Sequence, residues 1–530
     1  MNKKFILISL LIIIVLSLQA VSAYNDTDVD VLGDSEDNQI LLAPSETKNF
    51  ANLNDVINTA ISEGKDEITL KYNYKWDGSN WQNPDLKTGI NITKNLVING
   101  NGATISGDSN NPATLFNISS GVTLTLKNLT IKNLGGLEGW GPVTPRSVIM
   151  SQGNLDITNC IFENNGASRG NGDFEYNGSV IYSNGNINIK NSEFNNNKVE
   201  NSAVIYTTGT VTVVGSTFSG NQAPNSRIAK GGAIHAGKVD LIEDSYFDTN
   251  FASYGGAVYI EDSNSITTIK DSTFESHICY ENGGAIYTEG KIDLIYNSVF
   301  ESNFGYNGGS IYANSIEKVV DSNFHDSGFD SYQHLDSKGG AFYITGSDDL
   351  EITGCEFSGH VNQDAGAIFT CGSVTVIDST FSENVANDNN QFKFSKGGAI
   401  YANGDVSLEN VILEDNFADY GGAIYSNGTV TIKNLNTIDN NGVYVQSNSL
   451  NGGVVYAKGN VNMENVTFGE NYAQIAGGAI YSESDVTFYN SNVNGSKATR
   501  DNGNGGFIYA KGNVAVENST IASIYMKVGD

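Results

Sequence analysis

The sequence has few of the residues on which disulfide-stapled domains and nucleic-acid-binding proteins depend. Its 530 residues include 4 cysteines and 6 prolines, and 29 basic residues stand against 59 acidic ones. So few cysteines argue against a disulfide framework in a chain of this length. The acidic excess argues against a nucleic-acid partner, because phosphates need cationic contacts. After the first 23 residues no apolar run is long enough to span a bilayer, so no integral membrane segment is expected there.

Three N-terminal segments differ from the rest of the chain. Two lysines, an apolar stretch and a small-residue cleavage site predict a secretory signal peptide over residues 1–23, and therefore an extracellular or cell-surface protein. Residues 24–48 are acidic with little apolar pattern, which predicts a disordered leader. Apolar residues at helical spacing predict one short helix over residues 49–64. We expect this helix to cap the open first layer of the structure that follows.

Residues 65–530 are dominated by one repeat. A small residue, usually Gly-Gly, precedes Ala-Ile-Tyr, and Phe-x-x-Asn follows about fifteen residues later. The pattern recurs fourteen times from Ser147 onward with a period near 28 residues, which is typical of a stacked repeat. Short extended segments join their equivalents in the next repeat in parallel, through right-handed crossovers. The sequence therefore predicts an all-β fold, a right-handed, single-stranded parallel β-helix of about 16 coils.

Equivalent side chains should lie above one another, because each coil returns to the same place. Phenylalanines such as Phe218 and Phe247 are expected to stack inside the rod, and Cys160 and Cys355, at equivalent positions of distant coils, to be buried thiols. An Asn or Asp usually stands three residues before the phenylalanine, which predicts a structural ladder of side-chain hydrogen bonds at one turn. The predicted ladder consists of Asn159, Asn191, Asp244, Asp271, Asn297, Asp378, Asn410, Asn434 and Asn465.

The tyrosine of the Ala-Ile-Tyr segment forms another column, whose orientation stays open at this stage. If Ile424 and its equivalents face the core, Tyr425 and its column point outward and offer an aromatic platform for sugar rings or a partner protein. The opposite assignment buries the tyrosines beside small alanines. The outward assignment gives four candidate ligand-binding residues: Tyr259, Tyr287, Tyr401 and Tyr425.

The pairing of Gly-Gly-Ala-Ile with Phe-x-x-Asn resembles the repeat of chlamydial polymorphic outer-membrane proteins, which also occurs in adhesin-like surface proteins of methanogenic archaea. The run Asn-Leu-Val-Ile-Asn-Gly-Asn-Gly at residues 95–102, followed by Leu-Phe-Asn-Ile at 115–118, is similar to the start of those archaeal proteins. The resemblance covers roughly residues 50–530. It implies a pectate-lyase-like solenoid at the cell surface, with a non-enzymatic, adhesin-like role and glycans or surface proteins of another cell as partners.

A polysaccharide lyase or glycoside hydrolase is the main alternative, because parallel β-helices also include such enzymes. These enzymes need a carboxylate pair, or a base together with a cation. The candidates form two groups: Asp348, Asp349, Glu351 and His360, and His325, Asp326, Asp330, His334 and Asp336. The first two aspartates lie beside a turn glycine, where Asp is common, and no arginine lies near either group. We therefore expect no catalytic residues; a structural layer of the cell envelope is a third alternative.

Metal and cofactor sites are not expected from the sequence. Cysteine and histidine never fall at the spacing typical of zinc sites. Weak binding of Ca²⁺ by acidic loops is the one cation interaction that the sequence leaves open.

Overall fold

The computed structural model describes residues 43–76, 86, 89–107, 114–135, 147–167, 179–199, 202–223, 228–328, 336–387, 394–434, 437–439, 441–442, 451–499 and 503–526. The predicted signal peptide, the leader up to residue 42, and the candidates Asp330 and His334 lie outside the described residues. From Ala43 onward the chain forms one compact unit. In the described ranges, no helix has both the length and the apolar character that a membrane crossing requires.

One short helix, Phe50–Ser62, lies at the start of this unit. Its N-terminus is closed by a reciprocal cap: the Asn52 N–H donates to the Asn49 side chain at 3.1 Å, and the Asn49 N–H donates to the Asn52 side chain at 3.4 Å. Leu53 and Ile57 are fully buried in the core and the helix contacts the first strands of the solenoid. The predicted capping helix is therefore confirmed, and it covers the apolar first layer.

The rest of the chain is a parallel β-solenoid, as the repeat predicts. Most turns contribute three short strands, and each strand pairs in parallel with its equivalents in the adjacent turns. In four turns one longer strand spans two of the three positions: Leu96–Ser106, Thr123–Lys132, Ile205–Val214 and Ile234–Glu243. We name the three positions the Tyr strand, the middle strand and the Phe strand. Sixteen Tyr strands follow one register, the last fourteen of them in regular turns. The right-handed sense of the winding stays a prediction.

The strand bounds are as follows. The Tyr strands are Ile90–Ile92, Phe116–Ile118, Ile149–Ser151, Ile181–Ser183, Ile205–Val214, Ile234–Glu243, Val258–Ile260, Ile286–Thr288, Ile311–Ala313, Phe342–Ile344, Ile368–Thr370, Ile400–Ala402, Ile424–Ser426, Val455–Ala457, Ile480–Ser482 and Ile508–Ala510. The middle strands are Glu67–Thr69, Leu96–Ser106, Thr123–Lys132, Asn154–Thr158, Ile187–Lys190, Ile266–Lys270, Lys291–Tyr296, Ser315–Val320, Leu350–Thr353, Val374–Ile377, Val406–Glu409, Val430–Lys433, Val461–Glu464, Val486–Tyr489 and Val514–Glu517. The Phe strands are Thr47–Asn49, Asn73–Lys75, Ile161–Glu163, Glu193–Asn195, Thr217–Ser219, Tyr246–Asp248, Thr273–Glu275, Val299–Glu301, Asn323–His325, Glu356–Ser358, Thr380–Ser382, Ile412–Glu414, Thr437–Asp439, Thr467–Phe468, Asn492–Ala498 and Thr520–Met526. Short edge strands are Gly166–Ala167, Lys198–Val199, Phe251–Ala252, Ile278–Cys279, Val361–Asn362, Val385–Ala386 and Asn471–Ala473.

Side-chain alternation along these strands builds the core. In a regular turn the first and third residues of the Tyr strand, such as Ile424 and Ser426, are fully buried, and the phenylalanine of the Phe strand points inward. Nine phenylalanine rings from Phe162 to Phe381 stack nearly parallel, with centroids 4.7–5.1 Å apart. The predicted internal aromatic stack is confirmed, and it runs through most of the regular turns.

A buried polar ladder lies beside this stack, at the asparagine of Phe-x-x-Asn. The side-chain amide of Asn221 donates to the Phe194 carbonyl oxygen at 2.7 Å and to Asn250 Oδ1 at 3.0 Å, and its own Oδ1 accepts from Asn197. The same position supplies every rung: Asn165, Asn197, Asn221, Asn250, His277, Asn303, Ser327, His360, Asn384, Asn416, Asn441 and Asn471. Each rung satisfies backbone groups that would otherwise be buried without partners.

Two of the four cysteines belong to a second polar column, which is mostly serine. The Ser216 hydroxyl accepts from the Ser192 N–H at 3.1 Å and donates to the carbonyl oxygen two residues earlier at 2.9 Å. Cys160 and Cys355 take the serine position, and each thiol lies 3.3 Å from the equivalent carbonyl oxygen. Burial raises the pKa of both thiols to about 11. Both cysteines are therefore buried, protonated thiols, as predicted.

Candidate functional site

The tyrosines form a continuous aromatic column on the outer face of the Tyr strands. Neighbouring ring centroids along this Tyr column lie 4.6–5.2 Å apart. Its members are Tyr182, Tyr206, His235, Tyr259, Tyr287, Tyr312, Tyr343, Phe369, Tyr401, Tyr425, Tyr456, Tyr481 and Tyr509. The column lies outside the central core, which contains the residue before each tyrosine but not the tyrosine itself. The outward orientation is therefore the one that the structure has.

The outward tyrosines are nevertheless partly covered. Of the four candidate binding residues, Tyr259, Tyr287 and Tyr425 are only 5–8% exposed, whereas Tyr401 is half-buried. In several turns the side chain three positions before the Ala-Ile-Tyr segment lies over the rings. Lys396, for example, places its Nζ 5.3 Å from the Tyr401 centroid and 5.4 Å from the Tyr425 centroid. The accessible rings are instead the half-buried ones: Tyr182, Tyr206, Tyr312, Tyr343, Tyr401, Tyr456 and Tyr509.

Two tyrosine hydroxyls of the column donate hydrogen bonds to carboxylates. The Tyr287 hydroxyl donates to Glu289 at 3.1 Å and the Tyr456 hydroxyl donates to Glu483 at 2.6 Å. Burial, together with the neighbouring tyrosines and carboxylates, raises the pKa of Tyr287 and Tyr456 above that of a free phenol. The phenols therefore stay neutral at neutral pH, and the face combines apolar rings with polar edges.

His235 takes the place of a tyrosine in the Tyr column, and a cleft opens beside it. His235 packs edge-on against Tyr206 and Tyr259, with ring centroids 4.9 Å from each. The cleft has a volume of about 670 Å³ and its floor includes Tyr206 and His235, while Ile228 on its wall is 63% exposed. Strands Ile205–Val214 and Ile234–Glu243 shift register twice beside the cleft. Irregular pairing of this kind commonly occurs next to functional sites.

Charged residues hold the histidine in place. His235 Nε2 lies 2.7 Å from Glu261 Oε2, and Lys230 Nζ lies 3.2 Å from the same carboxylate. The hydrogen bond from His235, together with the charge of Lys230, lowers the pKa of Glu261 to about 2. Burial lowers the pKa of His235 despite this partner. At neutral pH a neutral imidazole therefore donates its Nε2–H to an ionised carboxylate.

Lys230 links this cluster back to the Tyr column. Its Nζ lies 4.4 Å from the centroid of the Tyr259 ring, at cation–π distance. A second ion pair also lines the cleft, with Lys238 Nζ 3.4 Å from the Asp262 carboxylate. Each lysine of the cleft is thus paired with a carboxylate of the cleft, and the four groups carry no net charge.

The two groups of candidate enzymatic residues do not form a site in the described part of the chain. Asp348 and Asp349 are exposed, and Glu351 forms an ion pair with Lys318 at 2.7 Å. His360 is fully buried as a rung of the asparagine ladder, where burial lowers its pKa to about 4. Of the second group, His325 contacts the Ser358 hydroxyl at 2.7 Å, and Asp326 and Asp336 are exposed. No group of three or more potential metal ligands occurs among the described residues.

The column proposed as a structural ladder lies at the surface and has a conformational role. All nine predicted residues adopt a left-handed backbone with φ between 45° and 57°, and all are exposed except the half-buried Asn434. Side-chain hydrogen bonds join some neighbours, such as Asn410 to Asp378 at 2.9 Å and Asn465 to Asn434 at 2.9 Å. Asn, Asp and Gly tolerate this conformation better than other residues, which explains their use at this turn.

The sequence patterns did not predict the residues of the cleft as a site. The only local sign is that His235 stands where most turns carry tyrosine. Its partners Lys230 and Glu261 lie on two different turns and are brought together by the winding. Their spacing along the chain matches no catalytic or metal-binding motif.

Comparison with known protein families identifies two short matching stretches. Residues 215–237 and 465–483 match the model of the Chlamydia polymorphic membrane protein repeat. Each stretch begins at the left-handed turn and contains the buried Phe and Asn. The first ends within the Tyr strand Ile234–Glu243 and the second just after the Tyr strand Ile480–Ser482, so the match covers the part of a turn that carries the core columns. No curated protein matches the chain. No solved structure matches it either.

Proposed function

We propose that this protein is a non-enzymatic, adhesin-like rod at the cell surface, which makes contact with another cell, a host surface or a glycan through the Tyr column. The observation that carries the proposal is the column itself: thirteen rings from as many turns line one outer face. Aromatic rings that remain partly exposed are frequent anchors for sugars and for protein partners. The tyrosine row is not required to fill the core, because stacked phenylalanines and aliphatic residues already occupy the interior.

The location at the cell surface rests on the repeat and on composition. The matching family model is named for membrane proteins of Chlamydia, and the analogy supports display on the outside of a cell. The formal net charge of −30 suits a protein that stays apart from other copies in an aqueous exterior. The acidic surface also gives a partner with basic or neutral groups an advantage over an acidic one.

An enzyme acting on polysaccharides is less consistent with the geometry. Glycoside hydrolysis uses one carboxylic acid that is protonated near neutral pH, which requires a raised pKa. The two carboxylates of the cleft, Glu261 and Asp262, both have lowered pKa values instead. A structural envelope layer remains the third alternative, and it requires regular self-association.

The test combines localisation, binding and turnover of the full-length chain. Antibody labelling of intact producing cells should equal labelling of permeabilised cells, and the purified chain should bind to some members of a panel of cells and immobilised glycans. The same glycans should show no release of shortened or unsaturated products. Labelling only after permeabilisation, product release, or assembly into ordered sheets without binding to any member of the panel would each contradict the proposal.

A further inference from the structure

We infer that the cleft beside His235 is a binding subsite for a neutral, hydroxyl-rich ring, that is, one uncharged sugar residue. The inference rests on the proposed function, because it assigns a ligand class to one point of the contact face. The cleft lies at the one histidine of the Tyr column, between the face-to-face pairs Tyr182–Tyr206 and Tyr259–Tyr287.

The shape of the cleft suits a small ligand. Its volume of about 670 Å³ falls within the range of small-molecule sites. Ile228 and the ring of Tyr206 offer apolar surface, and Thr208 and Thr210 offer hydroxyl groups beside it. Sugar rings have the same division, with C–H groups on their faces and hydroxyl groups on their edges. An aromatic ring next to polar side chains can therefore contact both parts at once.

The charges of the cleft select against an ionised ligand. Lys230 is paired with Glu261 at 3.2 Å and Lys238 with Asp262 at 3.4 Å. An anion would have to compete with these carboxylates for the lysines, and a cation would have to compete with the lysines for the carboxylates. A hydroxyl group avoids both costs, because it can accept from a lysine and donate to a carboxylate without breaking either pair.

The position of Glu261 is fixed before any ligand arrives. The buried His235 donates to one of its oxygens, and Lys230 is held between this carboxylate and the Tyr259 ring. More than half of the Glu261 side chain is still exposed, which leaves acceptor capacity for a ligand hydroxyl. A pre-positioned acceptor loses less entropy on binding, which favours recognition of a small ring.

Isothermal titration and saturation-transfer NMR on the full-length protein test the subsite. The probes are the methyl glycosides of glucose, galactose and mannose, with methyl glucuronoside as the charged comparison. We expect at least one neutral glycoside to bind and the glucuronoside to bind more weakly. Glu261→Gln should weaken the neutral interaction about tenfold or more, because it removes a charge-assisted acceptor. Glu301→Gln, at an exposed site on the Phe-strand face, is the matched control and should leave the affinity unchanged.

Thermal melts of both variants check that the fold is kept. The inference is overturned if no neutral glycoside binds, if the glucuronoside binds more tightly, or if Glu301→Gln weakens binding as much as Glu261→Gln. Its failure can be separated from that of the proposed function. Wild-type protein that binds cells but none of the neutral glycosides contradicts the subsite alone, whereas wild-type protein that binds no cell or glycan contradicts the proposed function.

Discussion

Two asparagines six residues apart show how one residue type meets two different physical needs. Asn410 is exposed and has a left-handed backbone with φ of 55°. Asn416 is fully buried, and its amide donates to the Phe381 carbonyl oxygen at 2.9 Å and to Asn441 at 3.0 Å. The first is chosen for the conformation that it tolerates, and the second for the donors and acceptors that it carries.

Substitutions of Asn410 should separate conformation from hydrogen bonding. Asn410→Leu should lower the free energy of unfolding by about 1–2 kcal/mol, because a branched side chain is strained at positive φ. Asn410→Gly should cost much less, since glycine adopts this conformation freely. Urea unfolding followed by circular dichroism measures both. If glycine destabilises as much as leucine, the side-chain bond to Asp378 and not the backbone conformation explains the asparagine.

The two buried ladder histidines should make stability depend on pH. Burial lowers the pKa of His277 to about 3 and that of His360 to about 4. An unfolded histidine has a pKa near 6.5, so the unfolded state takes up the protons first as the pH falls. Stability from these residues is therefore complete above about pH 6.5 and declines below it by about 1.4 kcal/mol per pH unit for each histidine, down to the folded-state pKa.

Replacing both histidines by asparagine, the residue of most other rungs, should remove this part of the pH dependence. Melting temperatures of the wild type and of His277→Asn/His360→Asn, recorded between pH 7.5 and 4.5, provide the measurement. As the pH falls, the melting temperature of the wild type should decrease more than that of the variant. A difference that stays constant over this range would mean that the buried imidazoles do not stay neutral.

At the scale of the structural element, the buried ladder connects each turn to its neighbours. Asn221 bonds to groups of the preceding turn through Phe194 and Asn197, and to the following turn through Asn250. Solenoids are stabilised mainly by contacts between adjacent repeats. A single rung therefore contributes to two interfaces between turns, and its loss should destabilise the packing of both neighbouring turns.

Asn221→Leu should be strongly destabilising, although leucine has a similar size. It leaves the buried Asn197 N–H without the acceptor that Asn221 supplies, at about 1–3 kcal/mol, and it removes a further hydrogen bond to the Phe194 carbonyl oxygen. Asn221→His is the matched control, because histidine already serves at two other rungs, and it should cost clearly less. Urea midpoints compare the two variants. Equal losses would mean that packing, and not the hydrogen bonds, explains the asparagine.

The three strands, the phenylalanine stack and the helix could be predicted because each follows from a local pattern repeated at a fixed period. The two asparagine columns could not be separated by frequency alone, since both favour the same residue. The exceptions distinguish them. The exposed column accepts Gly215 and Gly354, which share a positive φ, whereas the buried column accepts Ser327 and His360, which supply hydrogen-bonding groups.

At the scale of the whole molecule, the outer face depends on contacts that the sequence does not display. Both neighbours of Tyr425 on its N-terminal side, Ala423 and Ile424, are apolar and buried, so the local pattern fits either orientation. The cover over this tyrosine comes from Lys396, which belongs to the preceding turn. The cleft likewise depends on two turns that shift register against each other. Lys396 and Tyr425, like the residues of the cleft, lie on different turns and come into contact only when the chain folds into the solenoid.

The winding of the chain into a solenoid is also consistent with a function carried by its outer surface. The interior is filled by stacked phenylalanines, aliphatic residues and the buried ladder, and the large side chains that remain for contact with other molecules lie on the outer faces. Repetition turns one outward tyrosine per turn into a row along the rod. A long row of modest contacts can give strong attachment through multivalency.

The proposed role of the Tyr column is tested most directly by binding of full-length protein to the panel of cells and immobilised glycans. Tyr312→Leu/Tyr343→Leu removes two adjacent, partly exposed rings of the column. Tyr296→Leu/Tyr489→Leu removes two exposed tyrosines from the middle-strand face and is the control. We predict that the first pair lowers affinity about tenfold or more while the second leaves it unchanged, with matched thermal melts. Equal affinity of both variants, or a loss confined to the control pair, would contradict the account.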